Sequence, residues 1–494
     1  MLYNLPRLIG EQCRILYLPE DRNQVVLGVA GSGKSVEAVY RAIWISLGHP
    51  EDKIILLTVN SQINEQLKLM VDSFKHSPNI EVSTVYSYFK KIINQYYPKE
   101  SKVRKSWHDF QEKKRKQIDP LLKAATESEE KKVFNDLIEN SQKKYDDSTI
   151  WNKNNVNDFI KDEINWMQRN NICNRQQYLT ITRIGRGNQQ LSSQQRNTMF
   201  DIYLDFYNLR LNETGKAFDF ADIYHLIDKC SIPEDAKPKY VIIDEVQDIS
   251  PVMFHALRQI IRPDGLWTVF GDMSQNIFGE RISWSSLGLT NIRKQYHLHR
   301  NYRNTREIGE LAKSIIDNAE FRDLGQQEEV IEPSLSAIKG PQPIIWHHTA
   351  NEDYLIDQLK KQLNNGSVAI ILMNKNQGRD IKQLLKDNQI DFVSNINKLE
   401  GHVVFVGSIN RIKGLEFDSV FVVNIDDYQQ GMDRVCQGGN GILIDDKLEI
   451  EDRLKLARTI YVAITRAHRY LFLAYRQSKL PFLFNDPSLM QLKG

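Results

Sequence analysis

Residues 24–45 read QVVLGVAGSGKSVEAVYRAIWI, in which Gly28, Gly33, Lys34 and Ser35 have the spacing G-x-x-x-x-G-K-S. An apolar, β-branched run precedes that spacing and helix-forming residues follow it, the context of a phosphate-binding loop. The glycines let the backbone turn tightly enough for successive N–H groups, those of Ala30, Gly31, Ser32 and Gly33 among them, to converge on phosphate oxygens. The following helix directs its positive N-terminal end at the same anion. Lys34 would neutralise the terminal phosphates, and the Ser35 hydroxyl would ligate Mg2+. A second run, KYVIIDEVQD at 239–248, carries Asp244 and Glu245 to a strand's carboxyl edge, where ligands of an open α/β sheet bind. Asp244 suits a hard cation, and Glu245 suits the orientation and deprotonation of an attacking water. Together the two runs imply hydrolysis of a nucleoside triphosphate, with ATP and Mg2+ as the expected ligands.

The elements that must carry these groups follow from the hydropathy pattern. Short apolar strands alternate with helical patterns over 24–95 and 215–295 and again over 343–475, which predicts an α/β fold of parallel sheets with helices on both faces. Residues 99–200 differ: text such as FQEKKRKQ and ESEEKKVFNDLIENSQKKY predicts a mostly helical insertion. Its Lys113, Lys114, Arg115 and Lys116 read first as a solvated face and second as a nucleic-acid contact. The segment 325–343 is polar and carries Pro and Gly, a surface connection into the strand IIWHH.

Composition bounds the rest. A chain of 494 residues, 41% hydrophobic and 26% charged, is long enough for about three domains and is not a disordered or fibrous chain. A net charge of +2 means that any polyanion site is a local patch. No apolar run approaches the ~20 residues that cross a bilayer, and Pro6, Arg7 and Gly10 interrupt any secretory segment, so the cytoplasm is the expected location. Cys13, Cys173, Cys230 and Cys436 are scattered without CxxC spacing, which predicts neither disulfides nor a zinc site. His297 and His299 flank Leu298 and read as a surface or partly buried pair rather than metal ligands.

Read in order, the motifs resemble those of superfamily 1 helicases of the UvrD/Rep/PcrA type, over residues 10 to about 475. IGEQCRIL is similar to the adenine-reading Q motif with Gln12, VAGSGKS to motif I, and VIIDEVQD to motif II. FGDMSQNIFGE resembles motif III with Gln275, LHRNYRNTREI motif IV with Tyr302 and Arg303, INRIKGLEFDSVFV motif V with Gly414 and Glu416, and ARTIYVAITRAHRYL motif VI with Arg466. The resemblance implies two RecA-like lobes: 1A at 1–98 and 201–295, and 2A at 296–494, with 99–200 as the insertion called 1B. It also implies that Arg303 and Arg466 reach across the cleft to the γ-phosphate, as such arginines do elsewhere at ~10³ to 10⁵ in rate. Tyr302 would stack on adenine, Glu416 would accept from the ribose, and Gln275 would sense the γ-phosphate. The strand would be single-stranded DNA, tracked 3′ to 5′, with a tailed duplex as the unwinding substrate.

The sequence departs from that pattern in three places. Arg303 and Ser408 are separated only by enough chain for the second lobe itself, so the accessory 2B domain is expected to be missing. In motif III the aromatic pair reads Phe278 and Glu280, which predicts one lost stacking platform, with Arg281 retained beside it and Trp284 or Tyr86 as replacements. Motif Ia reads LLTVNSQINEQL, and motif V has Asn410 where histidine is usual. Thr58, Asn60, Ser61, Thr84, Ser87, Ser408 and Asn410 are the expected backbone-gripping groups. The compact form resembles stand-alone UvrD-like subunits that work beside a separately encoded nuclease, including the helicase partner in Gabija-type phage-defence systems. A DNA- or nucleotide-sensing ATPase that gates such a partner, and a DNA clamp with negligible turnover, are the competing expectations.

Overall fold

The computed structural model describes residues 6–74, 79–97, 127–146, 148–153, 156–183, 191–214, 222–275, 284, 289–316, 336–347, 352–373, 378–394, 401–425, 447–476, 484 and 486–493. Two all-parallel sheets organise them. The first contains β1 (Gln24–Gly28), β2 (Ile54–Thr58), β3 (Ile80–Thr84), β4 (Tyr240–Ile243), β5 (Leu266–Gly271) and β6 (Gln295–Leu298), in the order β3-β2-β4-β5-β1-β6. The second has seven strands: β7 (Ile344–His347), β8 (Val368–Leu372), β9 (Phe392–Val393), β10 (Val404–Ser408), β11 (Phe417–Val423), β12 (Ala467–Tyr475) and β13 (Gln491–Lys493). Their order is β13-β7-β12-β11-β8-β10-β9.

Both sheets are buried on both sides, which is why their strands are almost uninterrupted apolar text. Side chains alternate across the pleat. Val25, Leu27, Ile55, Leu57, Val241 and Ile243 enter one core, whereas Val26, Ile54, Leu56, Tyr240 and Ile242 enter the core on the opposite face. The second sheet repeats the device, with Val420 and Val422 on one side and Phe421 and Val423 on the other. These are the parallel α/β sheets that the strand–helix alternation predicts, and they fit the two RecA-like lobes that the resemblance implies.

The helices beside the first sheet show how local sequence selects local chemistry. Helix α1 covers Gln12–Leu16, α2 Lys34–Gly48 and α3 Ser61–Ser73, and a fourth, α4, covers Val85–Tyr96. α3 is capped by the Asn60 side chain, which accepts from Gln62 N, and α4 by Thr84, which accepts from Ser87 N. α2 begins instead after Gly33 at φ 89, with no side-chain cap. Its first-turn amides stay available, as an anion site at a helix N-terminus requires.

The helical insertion has a core of its own, in which Val133, Leu137, Phe159, Ile160, Ile164, Tyr178, Met199, Tyr203 and Phe206 pack together from helices at 127–144, 156–169, 175–180 and 193–214. Two expected boundaries shift. The last of these helices runs to Thr214, past the expected limit at 200, because its turns go on packing against this core. The limit at 295/296 falls inside β6, whose four residues pair with β1, so the first sheet extends to Leu298. The described segments between Arg303 and Ser408 supply β7 to β10, all strands of the second sheet. Lys113 to Lys116 and Cys436 lie outside the described residues, and Cys13, Cys173 and Cys230 are free thiols. No described helix is long and apolar enough to cross a membrane.

Candidate active site

The carboxyl ends of three adjacent strands, β4, β5 and β1, converge on one edge of the first sheet, and the chain leaving each carries a polar group. β1 leads into the glycine loop. Lys34 is buried and donates to the carbonyls of Gly28 and Val29, 2.9 Å each, so it lies along the loop's inner wall. A phosphate recruiting this ammonium competes with those two carbonyls.

Above the loop, the Gln12 amide donates to Ser32 O at 2.8 Å, and Ile9 N donates to Gln12 Oε1 at 3.0 Å. Tyr302 N donates to Gly31 O at 3.0 Å, while its hydroxyl donates to Ile9 O at 3.3 Å. The loop, the Gln12 segment and the Tyr302 segment are thereby tied into one wall. Gly31, at φ 73, has to be glycine: a Cβ there would lie 2.6 Å from the Arg303 Cβ.

β4 delivers Asp244 and Glu245. Asp244 is fully buried and its Oδ2 has no hydrogen-bond partner. Burial, with the neighbouring Glu245 charge, pushes its carboxyl up to about 7, and the Ser35 hydroxyl and Lys34 pull in the other direction. Burial would also raise Glu245, but Lys34 and Lys413, then the Gln247 amide and Arg466, outweigh it and hold that carboxyl below the usual glutamate range. The pair is therefore set apart, with Asp244 raised above and Glu245 held below the ordinary carboxyl range. Glu245 also sits at φ 56, in the left-handed region, the only described non-glycine residue there that is not Asn or Gln. That conformation costs about 1 kcal/mol or more for an ordinary side chain and marks a position where geometry outranks propensity.

After β5, Asp272 Oδ2 accepts from the Gln275 amide at 2.8 Å, and Asp272 N donates to Gln247 Oε1 at 3.0 Å. The second lobe meets this cluster directly. Arg466, buried in the turn just before β12, donates through Nη2 to Gln275 Oε1 at 3.3 Å and through Nε to Val462 O at 3.0 Å. Burial and the nearby Arg303 charge lower its pKa. Arg303 is ion-paired with Glu416, whose other oxygen lies 2.9 Å from His468 Nε2. Burial raises Glu416, but Arg303, His468 and Arg466 more than compensate, and it stays below the ordinary range. Glu416 thus faces Arg303 and His468, and a ribose hydroxyl would share it with them. Gly414 packs against Ile63 and Asn60 of the first lobe.

The expected strand-gripping residues divide. Thr58 is fully buried at the end of β2 with an unbonded hydroxyl. Asn60 and Thr84 spend their side-chain acceptors on capping α3 and α4, and the Asn60 amide donates to Lys413 O at 2.8 Å. Tyr86 and Trp284 are half-buried against the first lobe's core, Trp284 donating through Nε1 to Gln295 Oε1 at 3.2 Å. Ser408 is half-buried at the end of β10. Phe278, Glu280, Arg281 and the Asn410 side chain lie outside the described residues. His297 and His299 are half-buried with ring centroids 6.0 Å apart, and among the described residues no cluster of three or more His, Cys, Asp or Glu could hold a metal ion.

Sequence reasoning did not single out Lys413, Asn301, Asn304 or His468. Asn301 Oδ1 accepts from Arg303 N at 2.8 Å and from Asn304 N at 3.1 Å, and the Asn304 amide reaches Thr465 O at 3.1 Å, so these asparagines fasten the Arg303 turn to the base of β12. Lys413 immediately precedes Gly414 in the motif V string, and that adjacency was the available signal.

A glycine phosphate loop on one parallel sheet, faced by buried Arg466 and half-buried Arg303 from the second lobe, defines a two-lobed P-loop fold. Residues 10–296 match the model of the UvrD/REP helicase N-terminal domain and residues 393–478 that of the UvrD-like helicase C-terminal domain. The chain belongs to the UvrD/Rep helicase family. It is 24% identical over 204 residues, 37% of its length, to a candidate ATP-dependent DNA helicase of Bacillus subtilis, YjcD, of which the match covers 26%. It is 25% identical over 180 residues, 33% of its length, to a DNA helicase II homolog of Mycoplasma capricolum, covering 24% of that protein. The ATP-dependent DNA helicase srs2 of Schizosaccharomyces pombe is 33% identical over 90 residues, 17% of this chain and 10% of that one. The chain spans about a quarter of the length of the first two relatives.

Proposed function

We propose that this protein is an ATP-driven motor that tracks single-stranded DNA 3′ to 5′ and opens tailed duplex. The observation that carries the reading is the bond from Arg466 in the second lobe to Gln275 in the first, beside Asp272, Glu245 and Lys34. In this arrangement Lys34 and the amides of 30–33 hold the phosphates, and Gln12 and Tyr302 bound the base. Asp244 and Ser35 fit Mg2+, since a buried carboxylate oxygen without a partner beside a hydroxyl is a hard-donor set. That ion would supply charge neutralisation at the phosphates. Glu245, kept ionised, orients and deprotonates water, while Arg303 and Arg466 stabilise charge on the transferring phosphoryl group. Closing and reopening the lobes then becomes stepping along a strand. Opening one base pair costs on average ~1.4 kcal/mol, a small demand on each cycle. Tyr86, Ser408 and Trp284 are the partly accessible residues offered for strand contact.

Steady-state ATPase with and without oligonucleotide tests the reading: DNA should stimulate turnover, and Lys34→Ala should abolish it. A forked duplex with a 3′ tail should unwind and one with a 5′ tail should not. Negligible unwinding of both, with DNA-stimulated turnover intact, would replace the motor with the ATPase that gates a partner nuclease.

A further inference from the structure

Arg303 is fastened to the phosphate loop by its backbone and to the second lobe by its side chain. Tyr302 N donates to Gly31 O at 3.0 Å, and Arg303 N donates to Asn301 Oδ1 at 2.8 Å. The guanidinium is ion-paired with Glu416, the residue just before β11. The other Glu416 oxygen lies 2.9 Å from Nε2 of His468, the second residue of β12. The two strands are neighbours, with Phe417 beside Ala467, and Phe417 N donates to Arg466 O at 3.0 Å. Strand pairing thus brings the carboxylate and the imidazole together at the amino ends of β11 and β12. His468 is anchored through its carbonyl, which accepts from Thr305 N at 3.1 Å, and Asp418 Oδ1 stands 4.0 Å from its Nδ1.

The charges show what this carboxylate does. Arg303 is close enough to Arg466 for its charge to lower the pKa of Arg466, and Glu416 is the anion that offsets both. A phosphate on the loop beside Arg303 would present oxygens of the same charge and would compete with Glu416 for the guanidinium. When Arg303 turns to the phosphate, Glu416 loses one partner and retains the other, His468. A carboxylate left with no partner costs about 1 to 3 kcal/mol or more when buried. The Glu416 side chain is 33% exposed, so water carries part of that cost and the effect of losing His468 is several-fold rather than many orders.

We propose that Glu416 holds the place of a phosphate at Arg303, and that His468 is a positioning residue that keeps Glu416 partnered while Arg303 is handed over. This rests on the phosphate-site reading above. The ligand that displaces the carboxylate is a polyphosphate, and neither base nor ribose is needed for the exchange.

The test uses the full chain with Mg2+ and inorganic tripolyphosphate, binding being followed by titration calorimetry. His468→Phe leaves Glu416 with Arg303 alone and should weaken binding about three- to tenfold. His468→Gln, whose amide can donate to Glu416, should stay within about twofold of wild type. Glu416→Gln removes the competing charge and should tighten binding about threefold or more. Because His468 acts only through Glu416, adding His468→Phe to Glu416→Gln should change affinity by less than about twofold. That double variant has no stranded carboxylate, so it reports even where His468→Phe alone fails to fold. Binding no tighter in Glu416→Gln than in wild type, or a loss from His468→Phe that persists in the Glu416→Gln background, would overturn the proposal and leave the phosphate site standing. A wild-type chain that binds no tripolyphosphate would overturn both.

Discussion

The helical insertion and the interlobe cleft each bury an acid–base network, and they satisfy it differently. In the insertion, Glu163 is fully buried, and its Oε1 accepts from the Tyr178 hydroxyl at 2.7 Å and from Arg183 Nε at 2.7 Å, with Arg183 Nη2 on Oε2. Both carboxylate oxygens are occupied. In the cleft, Asp244 Oδ2 and Ser32 Oγ are buried without partners, and one turn into α2 both oxygens of Glu37 are as well. A buried polar atom left without a partner costs about 1 to 3 kcal/mol. The Glu163 network closes on itself, whereas the cleft keeps acceptors open at Asp244 and Ser32. Unfilled positions also occur away from the cleft, at Ser141 Oγ in the insertion and Trp346 Nε1 in the second lobe, so the mark of the cleft is an unfilled carboxylate oxygen beside the phosphate loop.

That contrast can be broken from either side. The largest effect is expected at Arg466: replacement by Ala should lower ATP turnover by ~10³ or more if it acts on the transferring phosphoryl group, with only a modest change in melting temperature. Glu245→Gln should cost ~10² to 10⁴ in turnover while analogue binding persists. Arg183→Met should do the reverse. It leaves Glu163 buried without its countercharge and should destabilise the chain by about 3 to 5 kcal/mol in denaturant titration, with turnover per folded molecule unchanged. A catalytic defect in folded Arg183→Met protein would erase the distinction between the two networks.

The smallest effect sharpens the comparison through pH. Burial raises Glu37 to about 9 in the folded chain, against about 4.5 unfolded. A carboxyl raised on folding leaves stability intact below pH 4.5 and removes it progressively as the pH climbs toward 9. Glu37→Gln should therefore stabilise the protein by on the order of 2 kcal/mol at pH 8 and much less at pH 5, measured by thermal melts at both.

The sequence carried what is local or periodic. Strand–helix alternation announces two parallel sheets, and G-x-x-x-x-G-K-S after an apolar strand announces the loop around Lys34. Distance along the chain defeats the rest. Lys413 and Asp248 stand 165 residues apart and share no pattern that spacing could reveal. Thr58 reads as a polar group at a strand's end, and only the packing of α3 and the neighbouring strands shows that it is enclosed. Asn60 and Thr84 read as caps first and strand contacts second, since one side-chain oxygen serves either purpose; the bonds to Gln62 N and Ser87 N show the caps.

The twisted backbone at Glu245 carries a lesson for descent. Drift unopposed by chemistry would settle that site on glycine or asparagine, which accept the conformation without complaint. On the proposed reading, sister chains bearing either would fold without the carboxylate that orients water.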